Sequence, residues 1–307
     1  MTGDWQVRMK VFCTGASGYI GGSVAAHLAA TGHQVTGLVR SADKADAVRA
    51  FGIEPVMGTL DDAQILTRAA QAADVVVNAA SADHKGAVVA MLDALAGSGK
   101  ALIHTSGSSI VGTRSRGERS DDIFDEDTPI TPSPARVARV ALNHFIVGAH
   151  DRGCRPVIIC PSLIYGIGHG AGRDSVQVPL LIKLAKKRGN AAHAGPGENI
   201  WSNVHIDDLV PLYALAIDKA PAGSFYFVEN GENSMREACL AINRMLGFAG
   251  APSAMSMAEA AGEWGEGTTE DTMASNSRVR ARRARQLSWQ PKARGLIEEI
   301  EQGCYRE

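Results

Sequence analysis

Short apolar runs alternate along the chain with stretches in which small and apolar residues recur at helical spacing. Val11-Phe12-Cys13, Gln34 to Val39, Val75 to Ala80, Ala101 to Gly107 and Pro156 to Pro161 read as strands, and runs this apolar suit strands covered on both faces. Helical patterns fall between them at Ile20 to Ala30, Ala63 to Ala72, Ala87 to Ala96 and Ala135 to His150. Crossover connections follow, and with them an α/β, doubly wound parallel sheet of the Rossmann kind. The charged, proline-bearing segment Gly112 to Pro134 is expected to lie over the carboxyl edge of the sheet as a lid. Beyond Tyr165 the glycine-rich Gly166 to Gly172 breaks the pattern, and a smaller C-terminal substrate-binding subdomain is expected. The division is 9–165 with 200–230 for the doubly wound domain, and 166–199 with 231–307 for the subdomain. No repeat of solenoid length is visible.

With 45% hydrophobic residues in 307 the chain can build a substantial core, while a net charge of −2 and 5% aromatic content invite neither nucleic acid nor a membrane surface. The residues before the first strand, Asp4 and Trp5 among them, lack a secretory apolar core, and no later run offers a membrane span. Cys13, Cys154, Cys160, Cys239 and Cys304 show no paired short spacing and read as reduced thiols, so a cytoplasmic location is expected. The basic run Arg278 to Arg285 reads as a solvated helix face, with a basic amphipathic patch as the alternative.

Candidate chemistry begins at Thr14 to Gly21, TGASGYIG, where a strand must turn sharply into a helix. Gly15, Gly18 and Gly21 sit where side chains would block the turn or a ligand, and the helix start at Tyr19 and Ile20 presents unpaired N–H groups at the positive end of its dipole. Ser17 adds a hydroxyl donor. An ordinary strand-to-helix turn is the alternative, and the surrounding strand-helix-strand unit favours a pyrophosphate. After the second strand come Arg40 and Ser41 rather than an acidic residue, which points to NADP(H) over NAD, against the alternative of a solvated surface arginine.

These residues resemble the extended short-chain dehydrogenase/reductase family, its epimerase/dehydratase group, from Met9 to Trp289. TGASGYIG is similar to TGxxGxxG, Asn203 to Leu209 to VHVDDL, and Leu287 to Pro291 to the closing LGWxP element. The resemblance implies an adenine contact at Thr59 and Leu60, a segment beneath the cofactor at Asn78, Ala79 and Ala80, and coenzyme contacts at Pro161 and Leu163 of PSLIYG. It also implies that the family's proton-transfer Ser or Thr, Tyr and Lys fall on Gly107, Ala135 and Arg139, and no tyrosine occurs from Gly117 to Asp151. The chain thus resembles an atypical subgroup lacking the usual acid-base residues.

Several residues are candidates for what remains. Arg139 can bind ribose or stabilise an oxyanion but stays protonated, with a helix-surface role as the alternative. Ser106 and Ser108 flank the altered serine position and can orient a carbonyl, contact the coenzyme ribose or bond local backbone, with Ser106 the cofactor-binding candidate of the two. Tyr165 is either a general acid or a structural phenol. Asp83 and His84 are candidate substrate residues, an acid-base pair or simple loop polarity, and Arg173 either binds an anionic substrate or is solvated. His104, His205 and Asp207 read as structural, Asp207 as a helix cap. Neither metal-ligand spacing nor a GxSxG elbow is present. The leading expectation is an NADP(H)-dependent oxidoreductase for a small carbonyl or alcohol. A dinucleotide-responsive binding or regulatory protein and a sugar-nucleotide epimerase or dehydratase remain alternatives, and a homodimer is expected through Ala87 to Ala96 and Ala135 to His150.

Overall fold

The computed structural model describes residues 8–306, so Asp4 and Trp5 of the leading segment lie outside the described residues. Six strands alternate with helices: β1 (Lys10–Thr14), β2 (Gln34–Val39), β3 (Ile53–Met57), β4 (Val75–Asn78), β5 (Ala101–Thr105) and β6 (Arg155–Pro161). The helices between them are α1 (Tyr19–Ala30), α2 (Ala42–Arg49), α3 (Ala63–Ala72), α4 (Lys85–Leu95) and α5 (Val137–Gly148). Then follow β7 (Leu163–Tyr165), α6 (Gln177–Arg188), β8 (Ala192–Ala194), β9 (Ile200–His205), α7 (Ile206–Lys219), β10 (Ser224–Val228), β11 (Glu232–Ser234), α8 (Met235–Leu246) and β12 (Ser253–Met255).

Seven strands form the main sheet in the order β10-β6-β5-β4-β1-β2-β3, and every adjacent pair is parallel. The chain proceeds outward in one direction through β2 and β3 and in the other through β4, β5 and β6, so the carboxyl ends of β1 and β4 bound the crevice in which open α/β sheets bind ligands. Alternate strand residues face opposite layers. Val11, Cys13, Val77 and Ile103 pack with α1 and α7, while Phe12, Val76, Leu102 and Ile158 pack with α3, α4 and α5. Segment 200–230 contributes α7 and β10 to this assembly, but β9 belongs to a separate small sheet with β7 and β11.

Two expectations from the sequence are corrected here. Segment 112–134 is no free lid, because the residues that follow α8 stitch it down. Thr113 bridges Asn276 and Phe124 bridges Val279, and Arg282 and Arg283 pair with Asp125 and Asp127. The basic run is not one solvated helix face either. Only Arg282–Gln286 is helical, and Arg278 is 6% exposed with its guanidinium on Glu232. Among the described residues, no helix is long and apolar enough to cross a membrane.

Candidate coenzyme and reaction site

β1 ends at a glycine because the next peptide has to turn under β4. Gly15 has φ +74°, and a Cβ there would lie 2.8 Å from the Ala79 carbonyl carbon and the Ala80 nitrogen. A Cβ on Gly21 would stand 2.5 Å from the Gly15 carbonyl oxygen. The turn and the helix are therefore pressed together at backbone distance. Gly18 caps α1 with no side-chain hydrogen bond, leaving the first-turn N–H groups of Tyr19 and Ile20 for a ligand. Ser17 is half-buried beside them. Such a cradle fits a dinucleotide pyrophosphate, since a single methyl group on Gly15 or Gly21 would obstruct it.

A polar row fastens the crevice floor. Thr14 Oγ1 donates to Asn78 Oδ1 at 2.6 Å, and Asn78 Nδ2 donates to His104 Nδ1 at 2.9 Å. The His104 proton then resides on Nε2, which is buried without a partner among the described residues. Burial pushes the His104 pKa down to about 4, so the ring is neutral near pH 7.

At the adenosine end, Arg40 follows β2 exposed, and Ser41 Oγ accepts the Lys44 N–H at 3.4 Å to cap α2. Thr59 is held by Asp62, whose Oδ2 accepts its N–H at 2.6 Å and its hydroxyl at 2.8 Å, and Leu60 packs against the core.

The other end of the crevice is organised by a forked ion pair. Arg139 Nε donates to Asp83 Oδ1 at 2.7 Å and its Nη2 donates to Oδ2, while Nη1 donates to Ser109 Oγ at 3.2 Å. A Cβ on Gly107 would come within 3.5 Å of that same Nη1. The hydrogen bonds from Arg139 hold the Asp83 carboxyl below its usual range, and Asp83 raises the Arg139 pKa in return. Both groups stay charged at neutral pH. Ala135, on the turn before α5, is exposed.

The geometry separates the remaining candidates. Ser106 stays near the site, its Oγ accepting from Asn143 Nδ2 at 3.0 Å. Ser108 turns away and bonds Ser277 Oγ at 2.8 Å. His84 is bonded elsewhere than to Asp83: its Nδ1 caps α4 by accepting the Ala87 N–H at 3.0 Å, and its Nε2 lies 3.1 Å from Asp61 Oδ1. Tyr165 is fully buried and donates to the Arg294 carbonyl at 2.7 Å. Pro161 ends β6 opposite Val228, and Leu163 is buried in the cluster with α6 and α8. His205, rather than Asp207, caps α7 by accepting the Asp207 N–H at 3.0 Å, and Asp207 pairs with His169. The glycine-rich segment bearing Arg173 packs on α1, where a Cβ on Gly172 would stand 2.7 Å from the Tyr19 nitrogen. Ser109 was missed from sequence, although its place two residues after Gly107 was the available signal. The five cysteines are free, and burial raises the Cys13 thiol to about 12.

This topology defines an α/β protein of the Rossmann type. The chain belongs to the NAD dependent epimerase/dehydratase family, whose model matches residues 11–228. An uncharacterized protein of Saccharomyces cerevisiae is 32% identical, covering 95% of this chain and 98% of that one. Oxidase ucsJ of an Acremonium species is 34% identical, covering 95% of each chain. A 4-hydroxy-2-methyl-3-oxo-4-farnesyl-3,4-dihydroquinoline-1-oxide ketoreductase of Stigmatella aurantiaca is 26% identical over 73% of this chain and 69% of its own. Among solved structures, the Bacillus anthracis dTDP-glucose 4,6-dehydratase in complex with NAD superposes with a TM-score of 0.76 at 17% identity, covering 95% of each chain. The Thermotoga maritima UDP-glucose 4-epimerase with UDP-glucose reaches 0.77 at 15% identity, covering 97% of this chain and 98% of its own.

Proposed function

We propose that this chain is an NADP(H)-dependent oxidoreductase acting on a small carbonyl or alcohol, with proton transfer at the substrate oxygen carried by water or a non-standard residue. The observation that carries the coenzyme part of this reading is the cradle at Gly15, Gly18 and Gly21, closed to any side chain yet open at the first turn of α1. The oxidase and the ketoreductase among the relatives support the reaction class. The sugar-nucleotide reading draws on the solved epimerase and dehydratase, which are below 20% identical. A homodimer through α4 and α5 belongs to the same proposal, supported by Val137 and Phe145, 53% and 40% exposed on α5.

In this reading Gly107, Ala135 and Arg139 stand at the family's proton-transfer positions, so no phenol is available there. A bound nicotinamide supplies or accepts the hydride. Arg139, fixed by Asp83, donates to Ser109 and leaves the Ser109 hydroxyl hydrogen free to donate to a substrate oxygen. A protonated guanidinium beneath that hydroxyl stabilises developing negative charge without losing a proton itself.

The pH dependence follows from these charges. The Asp83 pKa lies below its ordinary value, that of His104 near 4, and that of Arg139 above its ordinary value, so none of them changes charge between pH 6 and 9. The rate of NADPH consumption, measured with saturating carbonyl substrate, should vary less than about threefold across that range. A tenfold limb within it would assign proton transfer to a titrating group elsewhere.

Coenzyme choice rests on Arg40. Wild-type protein should bind NADPH more tightly than NADH, and Arg40→Ala should weaken NADPH roughly tenfold while leaving NADH unchanged. Calorimetric dissociation constants decide this, and a panel of ketones, aldehydes and alcohols followed by NADPH absorbance decides turnover. Tighter NADH binding by the wild type, or no coenzyme turnover with any panel member, would overturn the respective part.

A further inference from the structure

Pro134–Arg136 form the 3-10 turn that leads into α5, which puts Arg136 three residues before Arg139. Side chains at that spacing on a helical path start only about 5–6 Å apart at Cβ. Arg139 is committed, to Asp83 and to Ser109. Arg136 is not. Its side chain is 20% exposed, and its guanidinium makes no hydrogen bond with another described residue. Its one ion contact is long, Nη2 to Asp271 Oδ2 at 3.7 Å, and that carboxylate already receives Arg114 Nε on Oδ1 at 2.7 Å. Nε of Arg136 is sealed from solvent without a partner, so the terminal nitrogens are the accessible part of the group. By contrast Arg278, also largely buried, donates from Nη2 to Glu232 Oε1 at 2.7 Å. A guanidinium drawn out of water with no hydrogen bond is under-compensated, and an anion brought from outside would complete it.

Two observations place this guanidinium at the reaction site. Hydrogen bonds from Arg139 are the largest cause of the lowered Asp83 pKa, and the charge of Arg136 adds to them, so Arg136 lies within ionic reach of the Asp83 carboxyl. On its other side is the π-helical turn Thr269–Met273, which carries Asp271. Turns of this kind recur at functional sites. Thr269 in that turn is 1% exposed, and its Oγ1 has no partner among the described residues. Polar capacity is thus left over on both sides of the long contact between Arg136 and Asp271.

Resting on the oxidoreductase reading above, we propose that Arg136 binds a carboxylate of the substrate, so that the carbonyl compound reduced at this site is a short 2-oxo or 3-oxo acid. The two arginines start one turn apart, Arg139 behind the Ser109 hydroxyl and Arg136 with its donors unused, and this sets a short spacing between carbonyl and carboxylate. The carboxylate takes no part in the chemistry. The hydride goes from NADPH to the carbonyl carbon, the electron pair of the C=O bond moves to the oxygen, and that oxygen takes a proton delivered from water.

NADPH consumption with matched pairs tests this first without any substitution: pyruvate against methyl pyruvate, and acetoacetate against methyl acetoacetate. The acid of at least one pair should be favoured about tenfold or more in kcat/KM, through KM. Arg136→Ala should bring the acid-to-ester ratio close to one by raising KM for the acid, and Arg136→Lys should recover part of the preference because it keeps the charge without the fork. Calorimetric titration with oxamate and malonamate, in which an amide NH2 replaces the methyl group of the two acids, reads carboxylate binding apart from turnover. Wild type should bind at least one of them, about tenfold or more tightly than Arg136→Ala does. Esters consumed as well as the acids in both pairs, an equal loss for acid and ester in Arg136→Ala, or no difference between wild type and Arg136→Ala in binding either amide would overturn the proposal. Amide binding that depends on Arg136, in a protein that consumes NADPH with no carbonyl compound, would instead remove the oxidoreductase reading and leave the carboxylate site standing.

Discussion

Gly15→Ala should lose coenzyme affinity by at least about a hundredfold and fold stability by roughly 2–5 kcal/mol, because the substitution meets two penalties at once. An L side chain at φ +74° is strained, and the added carbon would stand 2.8 Å from the Ala79 backbone, so either the turn or the loop after β4 has to move. That movement separates the turn from the Thr14 to Asn78 hydrogen bond that fastens the crevice floor. Gly189→Ala provides the comparison. Gly189 has a similar φ of +69° with nothing within 4 Å of its Cβ position, so it should cost only about 1 kcal/mol and leave coenzyme binding intact. Urea denaturation and a coenzyme titration on both variants measure the difference, and equal losses would mean that the approach to Ala79 is unimportant.

Arg139→Ala should lower the rate of hydride transfer about a hundredfold, the scale for disabling an oxyanion donor, because the Ser109 hydroxyl loses the guanidinium that orients and polarises it. The loss should appear in kcat in single-turnover NADPH consumption, with coenzyme affinity changed much less. Arg139→Lys should restore only a part of it, because an ammonium cannot reach both Asp83 oxygens and Ser109 together. The variant should also free the Asp83 carboxyl to titrate nearer its ordinary value, since Arg139 is the largest cause of its depression. If Arg139→Ala turned over at the wild-type rate, the guanidinium would have no part near the reacting atoms.

The alternation of apolar runs with helical patterns anticipated the layered sheet because buried parallel strands and crossover helices both leave strong periodic signals. The ranges Gln34–Val39 and Ala63–Ala72 agree with β2 and α3 to the residue. The start of α5 was less legible. Pro134 imposes a 3-10 turn over Pro134–Arg136, so the regular helix starts only at Val137. Chemistry that depends on non-local partners could not be read along the chain. Asp83, in the loop before α4, and Arg139, in the first turn of α5, meet across the crevice, and nothing in local spacing signals that fork. The basic run shows the same limit, since charge density alone suggests solvation, whereas Arg278 is buried by its pairing with Glu232. The glycines of segment 166–172 were legible as a break but not as a surface shaped to fit α1, because the fit belongs to two backbones brought together by the fold.

The central claim is that the first turn of α1 holds a dinucleotide pyrophosphate. A crystal structure of the protein grown with NADP tests it most directly. The account predicts phosphate density within hydrogen-bond distance of the Tyr19 and Ile20 amides, with the 2′-phosphate facing Arg40. An empty turn beside Gly15 and Gly18 at saturating coenzyme, or NADP bound elsewhere on the protein, would contradict it.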